Sequence, residues 1–401
     1  MTNNPAIGVL LLLSLFAPIV LAGPTPTPTP TRVIPANAAS APVPAPVELA
    51  AKAWILIDAH TGTVLAEHNA DERLPPASLT KLVTDYLIAG EMAAGKFTKD
   101  TLVPISVNAW RMGGSKMFVR EGTEVPVGDL LQGIIVQSGN DATVAMAEYI
   151  AGTEDAFAQL MNQRAQQLGM TNSHFVNATG WPAEGHLTTA RDLSTLFRAM
   201  IHDYPDNYRL YSEKYFEYNG IKQPNRNLLL WRDSTVDGGK TGHTEAAGYC
   251  LVVSAVRDNM RLVGVVMGTN SVEARARETE KLLTYGFRFY ETARMYKAGE
   301  VLQADAPVWF GKADKVNLTV ADDVYLTLPR GQQKDLKATV LVDGAIEAPL
   351  SPTRPVGRLQ VERDGAVVLT APLVPDREIA EAGWLARLWD RLVLFLTGLF
   401  S

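Results

Sequence analysis

Residues 75–81 read Pro75-Pro76-Ala77-Ser78-Leu79-Thr80-Lys81, two prolines followed at once by a helix-forming run. Each proline fixes φ and lacks an amide hydrogen, so an extended segment ends here. From Ser78 onward Leu79, Leu82, Leu87, Ile88 and Met92 form an apolar stripe at helical spacing, and Gly95 supplies the stop. Ser78 and Lys81 stand three apart, so on a helix their side chains share a face. A serine at the positive end of a helix beside an amine has the form of an activated nucleophile. Alone, the pattern is equally compatible with a capping serine and a solvated lysine, because Ser-x-x-Lys is expected about once by chance in a chain of this length.

Toward the N-terminus, Ile7 to Ala22 is an apolar run broken only by Ser14 and Pro18 and closed by the small residues Ala22 and Gly23. The run is short and contains a proline, which fits a secretory signal over residues 1–22 better than a membrane span. Met1-Thr2-Asn3-Asn4 carries no Lys or Arg, so a retained N-terminal anchor is the competing reading. Residues 23–48 are a Pro/Thr/Ala-rich linker that cannot bury a core, and the folded part is expected from about Leu49. The chain is therefore expected to be exported. Its one cysteine, Cys250, excludes an internal disulfide and reads as packing in the strand Tyr249-Cys250-Leu251-Val252-Val253. Six scattered histidines lack metal-ligand spacing, so neither a metal nor a cofactor is expected. A formal charge of −6 over 401 residues with no basic block argues against nucleic acid as a partner. Hydrophobic content of 47% is enough for a large core.

Residues 49–300 read as one α+β unit. Trp54–Asp58 and Thr63–Glu67 flank His60-Thr61-Gly62 as a hairpin. Helical patterns run from about Gly128 to Gly169, with a break at Gln137-Ser138-Gly139-Asn140-Asp141, and again from Leu187 to His202. Lys240 is expected to start a strand, Leu251–Val256 and Leu262–Met267 are two more, and Ala274 to Tyr290 is a closing helix. Strands first, helices in the middle and strands last is not the alternation of a parallel α/β sheet. Residues 301–376 change texture to short alternating runs, Val324-Leu326-Leu328 among them, punctuated by Asp343-Gly344 and Asp364-Gly365, and read as a small β-rich domain of hairpins. In residues 377–401, Trp384, Leu385, Leu388, Trp389, Leu392, Phe395, Leu396, Leu399 and Phe400 fall largely on one helical face. The uncharged part after Arg391 is too short to span a bilayer, so an amphipathic helix lying in a membrane surface is expected. The competing readings are a helix docked on its own β-domain and a dimer contact.

Two further stretches change the weight of Ser-x-x-Lys. Ser138-Gly139-Asn140 sits where a helical pattern breaks, and Lys240-Thr241-Gly242 follows Asp237-Gly238-Gly239. Each is unremarkable alone, but the ordered set of three is a rare coincidence. With it the chain resembles the low-molecular-weight penicillin-binding proteins of the serine-type D-alanyl-D-alanine carboxypeptidase class. The resemblance extends to Gln137-Ser138-Gly139-Asn140-Asp141-Ala142, Asn225-Arg226-Asn227, Val236-Asp237-Gly238, Lys240-Thr241-Gly242-His243-Thr244 and Leu282-Leu283-Thr284-Tyr285-Gly286-Phe287. It implies a transpeptidase-type domain with an antiparallel sheet and a helical subdomain, then the β-rich domain and the anchor helix, at the periplasmic face of the inner membrane. Two stretches depart from the family pattern. Trp110-Arg111-Met112-Gly113-Gly114-Ser115 resembles a shortened rim loop, and Thr179-Gly180-Trp181 stands where many members have His-Gly-Leu.

The resemblance implies Ser78 as nucleophile and Lys81 as its base, neutral through burial and the nearby Lys240. Ser138 would relay a proton to the departing D-alanine, with Lys240 steadying its hydroxyl. Asn140 would hold the substrate amide. Backbone N–H groups of Ser78 and His243 would form the oxyanion hole, and Arg226 and Thr241, with Gly242 beside them and Arg275 as helper, would take the substrate carboxylate. Stem peptides of peptidoglycan ending in D-Ala-D-Ala are the implied substrate, and β-lactams the covalent inhibitors. A D,D-endopeptidase would use the same residues on cross-links. A class A β-lactamase needs a deacylating glutamate, and the segment Asn177 to Glu184 offers only Glu184, with Thr188 where an asparagine is expected. A non-catalytic sensor of β-lactams or stems would be expected to have lost Lys81, Ser138 or Lys240, and all three are present.

Overall fold

The computed structural model describes residues 43–46, 48–332 and 336–398; the expected signal segment and most of the linker lie outside them. Val43 packs on the first unit's core and the Tyr285 hydroxyl donates to the Pro44 carbonyl (3.2 Å), so chain expected in the linker is already engaged before Leu49.

The first compact unit is built on a five-stranded antiparallel sheet. Its strands run in the order Val64–His68, Ala53–Asp58, Met260–Thr269, Gly248–Arg257, Val236–Thr244. Both faces of the central strands are covered, which is why they read as near-continuous apolar runs. On one face Ile55, Ile57, Val252, Val263 and Val265 pack with Leu79, Leu82 and Val83 of the serine segment and with Leu193, Leu196 and Phe197 of the Ala190–Asp203 helix. On the other, Trp54, Leu56, Leu251, Val253 and Leu262 pack with Leu282 and Leu283 of the Val272–Phe289 helix. The alternation along a strand places odd and even residues in different cores. A third core, with Ile88, Val103, Val125, Leu130, Ile134 and Met146, fills the helical part.

Several sequence boundaries move. The serine motif is not the first turn of the α-helix: Ala77–Thr80 is a 3-10 turn, and the α-helix runs Lys81–Ala93. The helical stretch divides twice, into Val127–Ile135, Asn140–Ala151 and Glu154–Gln167, so Asn140 and Asp141 open a helix instead of sitting in the break. Lys240 lies mid-strand; the strand begins at Val236 because Gly238 and Gly239 fit closely against Tyr208 and the backbone of Val252. Strand Val324–Pro329 pairs antiparallel with Tyr290–Tyr296 and belongs to this first unit, whose described residues are 43–46, 48–296 and 323–332.

The second unit holds a six-stranded sheet in the order Lys337–Val342, Gly357–Arg363, Ala366–Pro375, Lys315–Val320, Val301–Trp309, Ile346–Glu347. Asp364-Gly365, both at positive φ, forms a two-residue hairpin closed by Arg363 opposite Ala366. Asp343-Gly344 does not: the strand before it pairs with Gly357–Arg363, and the short strand after it joins Val301–Trp309 in parallel. The Trp384–Gly398 helix ends the described chain, with Trp384, Leu385, Leu388 and Trp389 exposed. No helix among the described residues is long and apolar enough to cross a membrane.

Candidate active site

The 3-10 turn leaves Ser78 partly exposed and sends Lys81 inward, where it is 1% exposed. Lys81 Nζ lies 3.1 Å from Ser78 Oγ, 2.7 Å from Asn140 Oδ1 and 2.7 Å from the Thr179 carbonyl. These three oxygens account for every donor of an ammonium. In the neutral amine, the two shorter contacts take both hydrogens and leave the lone pair facing the Ser78 hydroxyl. Burial brings the Lys81 pKa down from 10.5 to about 7, helped by the Arg226 charge and opposed by Asp141 and Glu154. Arg226 is thus an assisting cation that the sequence did not suggest, and the repulsion between Lys81 and Lys240 is mutual and lowers Lys240 as well.

Ser138 lies between the Val127–Ile135 and Asn140–Ala151 helices at φ 63°, a left-handed conformation that a serine adopts at a cost of about 1 kcal/mol or more. The conformation is held from both sides. The Gly139 amide donates to the Gly133 carbonyl (2.9 Å) and the Asn140 amide to the Ser115 carbonyl (2.7 Å). Its hydroxyl accepts from Lys240 Nζ at 2.9 Å, and Lys240 also donates to the Thr241 carbonyl at 3.1 Å. Lys240 is buried without a carboxylate among these partners; burial, Lys81, Arg226 and Arg275 push its pKa well below the usual range. Arg226 and Arg275 are the lasting cations here, and Lys81 and Lys240 are buried amines able to take up protons beside them, an arrangement that favours an incoming anion.

The Val236–Thr244 strand is the edge of its sheet and runs against the serine turn. A Cβ on Gly242 would sit 2.9 Å from the Pro76 carbonyl, so the edge approaches the turn only because this residue has no side chain. Thr241 is buried, while His243 is exposed and stacks on Tyr249 with ring centroids 3.9 Å apart. Arg226 donates from Nη1 to Ser115 Oγ (2.7 Å), which joins it to the rim of the pocket. Arg275 is less accessible than expected of a substrate ligand. It is buried, lies over the Tyr249 ring at 5.9 Å and donates to the Arg226 carbonyl at 3.2 Å, with burial lowering its pKa to about 10. Its position is that of a support for Arg226.

The two departures from the family pattern meet in space. Cβ atoms on Gly113 and Gly114 would lie 3.3 and 3.2 Å from the Trp181 ring, so the glycines leave room for an indole that lines the site. The Gly113 carbonyl accepts from Asn140 Nδ2 at 2.8 Å, fixing which end of that amide faces Lys81. Beside the serine turn, a cavity of about 330 Å³ is lined by Pro75, Pro76, Gly180, Trp181, Glu184 and Thr244.

Sequence reasoning missed four contributors. The Thr179 carbonyl holds Lys81, and because a backbone atom does this, threonine in place of histidine leaves the contact intact. Asn177 Oδ1 accepts from the amides of Thr179, Gly180 and Trp181 and shapes that loop. Asp141 accepts from the amides of Met117, Phe118 and Val119 and fastens the segment beyond the rim. His186 bonds to Thr80 at 2.8 Å. Only Asp141 had a signal, as an acidic residue among apolar neighbours at a helix start.

A serine, two buried amines, a second serine and an amide around one pocket, on an antiparallel sheet with a helical subdomain, define the acyl-transferring penicillin-binding class. Comparison with known proteins agrees. Residues 36–271 match the family model for D-alanyl-D-alanine carboxypeptidase, and residues 290–381 match that for the C-terminal domain of penicillin-binding protein 5. The chain belongs to the D-alanyl-D-alanine carboxypeptidase family. It is 47% identical to the D-alanyl-D-alanine carboxypeptidase DacA of Escherichia coli over 86% of this chain and 88% of that one. To DacC of the same organism it is 43% identical over 86% and 88%. The crystal structure of penicillin-binding protein 5 from Haemophilus influenzae superposes with a TM-score of 0.78 at 39% identity, covering 84% of this chain and 99% of that one.

Proposed function

We propose that this chain removes the terminal D-alanine from peptidoglycan pentapeptide stems through an acyl-enzyme on Ser78. The observation that carries the reading is the placement of Lys81 Nζ between Ser78 Oγ, Asn140 Oδ1 and the Thr179 carbonyl. Lys81 takes the hydroxyl proton as Ser78 Oγ attacks the carbonyl carbon of the penultimate D-alanine. The negative charge that develops on the carbonyl oxygen is met by the N–H groups of Ser78 and His243. The C–N bond then breaks: the departing amine takes the Ser138 hydroxyl proton, with Lys240 steadying that oxygen, and the proton that Lys81 took from Ser78 passes on to Ser138, which leaves Lys81 neutral. Water hydrolyses the ester with Lys81 again as base. Arg226 and Thr241 take the terminal carboxylate, with Arg275 holding the Arg226 backbone in place. Binding of that anion raises the pKa of Lys240 and restores its charge where the leaving group needs it. Penicillin presents a strained amide to the same serine and leaves slowly.

The chain acts outside the cytoplasm, at the periplasmic face of the inner membrane. The exposed Trp384, Leu385, Leu388, Trp389 and Leu392 support a helix lying in that surface, with Asp390 held from the other side by the Phe310 amide (2.7 Å). Release of D-alanine from a pentapeptide mimic, with a cross-linked dimer as parallel substrate, tests the activity; hydrolysis of the dimer alone would replace the carboxypeptidase with an endopeptidase. Flotation with anionic vesicles tests the tail: a chain truncated after Asp376 should remain at the bottom of the gradient, and co-flotation of that chain would refute the anchor.

A further inference from the structure

The peptide unit between Ala77 and Ser78 has two ends, and both matter. One is the Ser78 N–H, assigned above to the oxyanion hole; the other is the Ala77 carbonyl, which points the opposite way because the unit is planar and trans. Ala77 has φ 49°, a left-handed conformation that an alanine does not hold unless its surroundings impose it. The Ala77 carbonyl is itself held: it accepts from Thr80 Oγ1 at 2.8 Å, and Thr80 Oγ1 in turn lies 2.8 Å from His186 Nε2.

The direction of this chain of hydrogen bonds is fixed. The Val176 amide donates to His186 Nδ1 at 3.0 Å, so Nδ1 is an acceptor and the ring hydrogen sits on Nε2. Nε2–H donates to Thr80 Oγ1, which leaves the Thr80 hydrogen for the Ala77 carbonyl. His186 and Thr80 are both buried, and burial lowers the His186 pKa to about 4, so the ring keeps this neutral tautomer at working pH. The same loop meets the same peptide a second time. Gly180, at φ 81°, packs so tightly on the Ala77 carbonyl that any side chain there would overlap it.

We propose that His186 is a positioning residue for the acylation step: through Thr80 it anchors the Ala77 carbonyl and so aims the Ser78 N–H into the oxyanion hole. The inference rests on the acyl-enzyme reading given above. Two things follow from the chemistry. A hydrogen bond to a peptide carbonyl polarises the whole unit and makes its N–H a better donor. And because the aim matters only when charge develops on the substrate oxygen, the contribution appears in the rate of acylation and not in substrate affinity.

Asparagine and glutamine divide the two functions of the ring. In His186→Asn the side-chain oxygen falls near the Nδ1 position and can still accept from Val176, but the donor to Thr80 is gone. In His186→Gln the amide nitrogen reaches the Nε2 position and can donate to Thr80, while the Val176 contact is lost. Each variant gives up one buried hydrogen bond, so a purely structural role predicts similar losses of thermal stability and similar activities. The positioning role predicts a split. Since removal of an oxyanion-hole donor costs about 10²–10³ in rate, a misaimed one in His186→Asn should lower kcat and the rate of penicillin acylation by about tenfold or more. KM should change less than about threefold, and His186→Gln should retain most of the wild-type rate. Thr80→Val, which removes the relay hydroxyl, should reproduce the His186→Asn rate, and the double variant should be no slower than either alone. Equal rates in His186→Asn and His186→Gln at matched stability, or full additivity with Thr80→Val, would overturn the inference. A wild-type chain that neither releases D-alanine nor takes up penicillin would instead overturn the acyl-enzyme reading beneath it.

Discussion

The base assigned to Ser78 must be a neutral amine, and the structure sets where it becomes one. With Lys81 at about pKa 7, about half the molecules carry the free base at pH 7, against roughly 0.03% for a lysine at its ordinary 10.5. The second-order rate of penicillin acylation should therefore rise with pH to a plateau above about 8, with a midpoint near 7. At pH 5, two units below the midpoint, about 1% of the amine is neutral and the rate should be about 100-fold lower. Stopped-flow uptake of a fluorescent penicillin reads this profile for the free enzyme. Two variants test the cause. Arg226→Gln removes the cation that lowers Lys81 and should move the midpoint up, whatever it does to the plateau. Glu154→Gln removes a carboxylate that raises it and should move the midpoint down, with its side-chain oxygen still able to accept from the Ala178 amide. A flat profile between pH 5 and 8, a midpoint near 10, or shifts in the reverse directions would refute the assignment of Lys81 as base.

Other consequences are as direct. Asp85, one turn beyond Lys81, is fully buried among Asn207 Nδ2 and the Tyr211 hydroxyl, and burial raises its carboxyl from 3.8 to about 6. Because the folded value is the higher, its contribution to stability is complete below about pH 4 and is lost as pH rises through 6. Melting temperatures should show Asp85→Asn faring better relative to the parent at pH 7.5 than at pH 4; the opposite trend refutes the shift. Gly180→Ala puts a methyl group into the Ala77 carbonyl at φ 81°, and should cost about 2 kcal/mol or more in chemical denaturation and slow acylation besides. A variant with parental stability and rate would show that the loop does not press on the serine turn. Arg226→Ala should raise KM for a stem peptide more than it lowers kcat, since the terminal carboxylate is bound in ground state and transition state alike; a fall in kcat at constant KM would contradict that.

How much of this could be read from residues follows from where each interaction is encoded. The three motifs marked the pocket because their chemistry resides in side chains at short spacing: Ser78 and Lys81 are one turn apart, and Ser138 and Asn140 flank a glycine. Pairing Ser138 with Lys240 spans 102 residues, and only the ordered set of motifs, not local pattern, linked them. The Thr179 carbonyl was illegible because any residue can supply a backbone oxygen, and His186 because its ring partners, Thr80 and Val176, come from two segments far apart in sequence. The sheet strands were clear where both faces are buried, as in Leu251–Val256. Boundaries slipped where a short turn or glycine packing overrode propensity, at Ala77–Thr80 and at Val236–Gly239. Val324–Pro329 looked like part of the second unit from its alternation, but a strand's pattern states which face it buries, not which partner it joins.

The central claim is that one hydroxyl, on Ser78, carries the acyl group. Intact mass after incubation with benzylpenicillin, followed by peptide mapping, tests it most directly. The parent chain should gain the mass of a single whole penicillin on the peptide containing Ser78, and Ser78→Ala should gain none. An adduct of the same mass that persists in Ser78→Ala, or maps to another residue in the parent, would contradict the account.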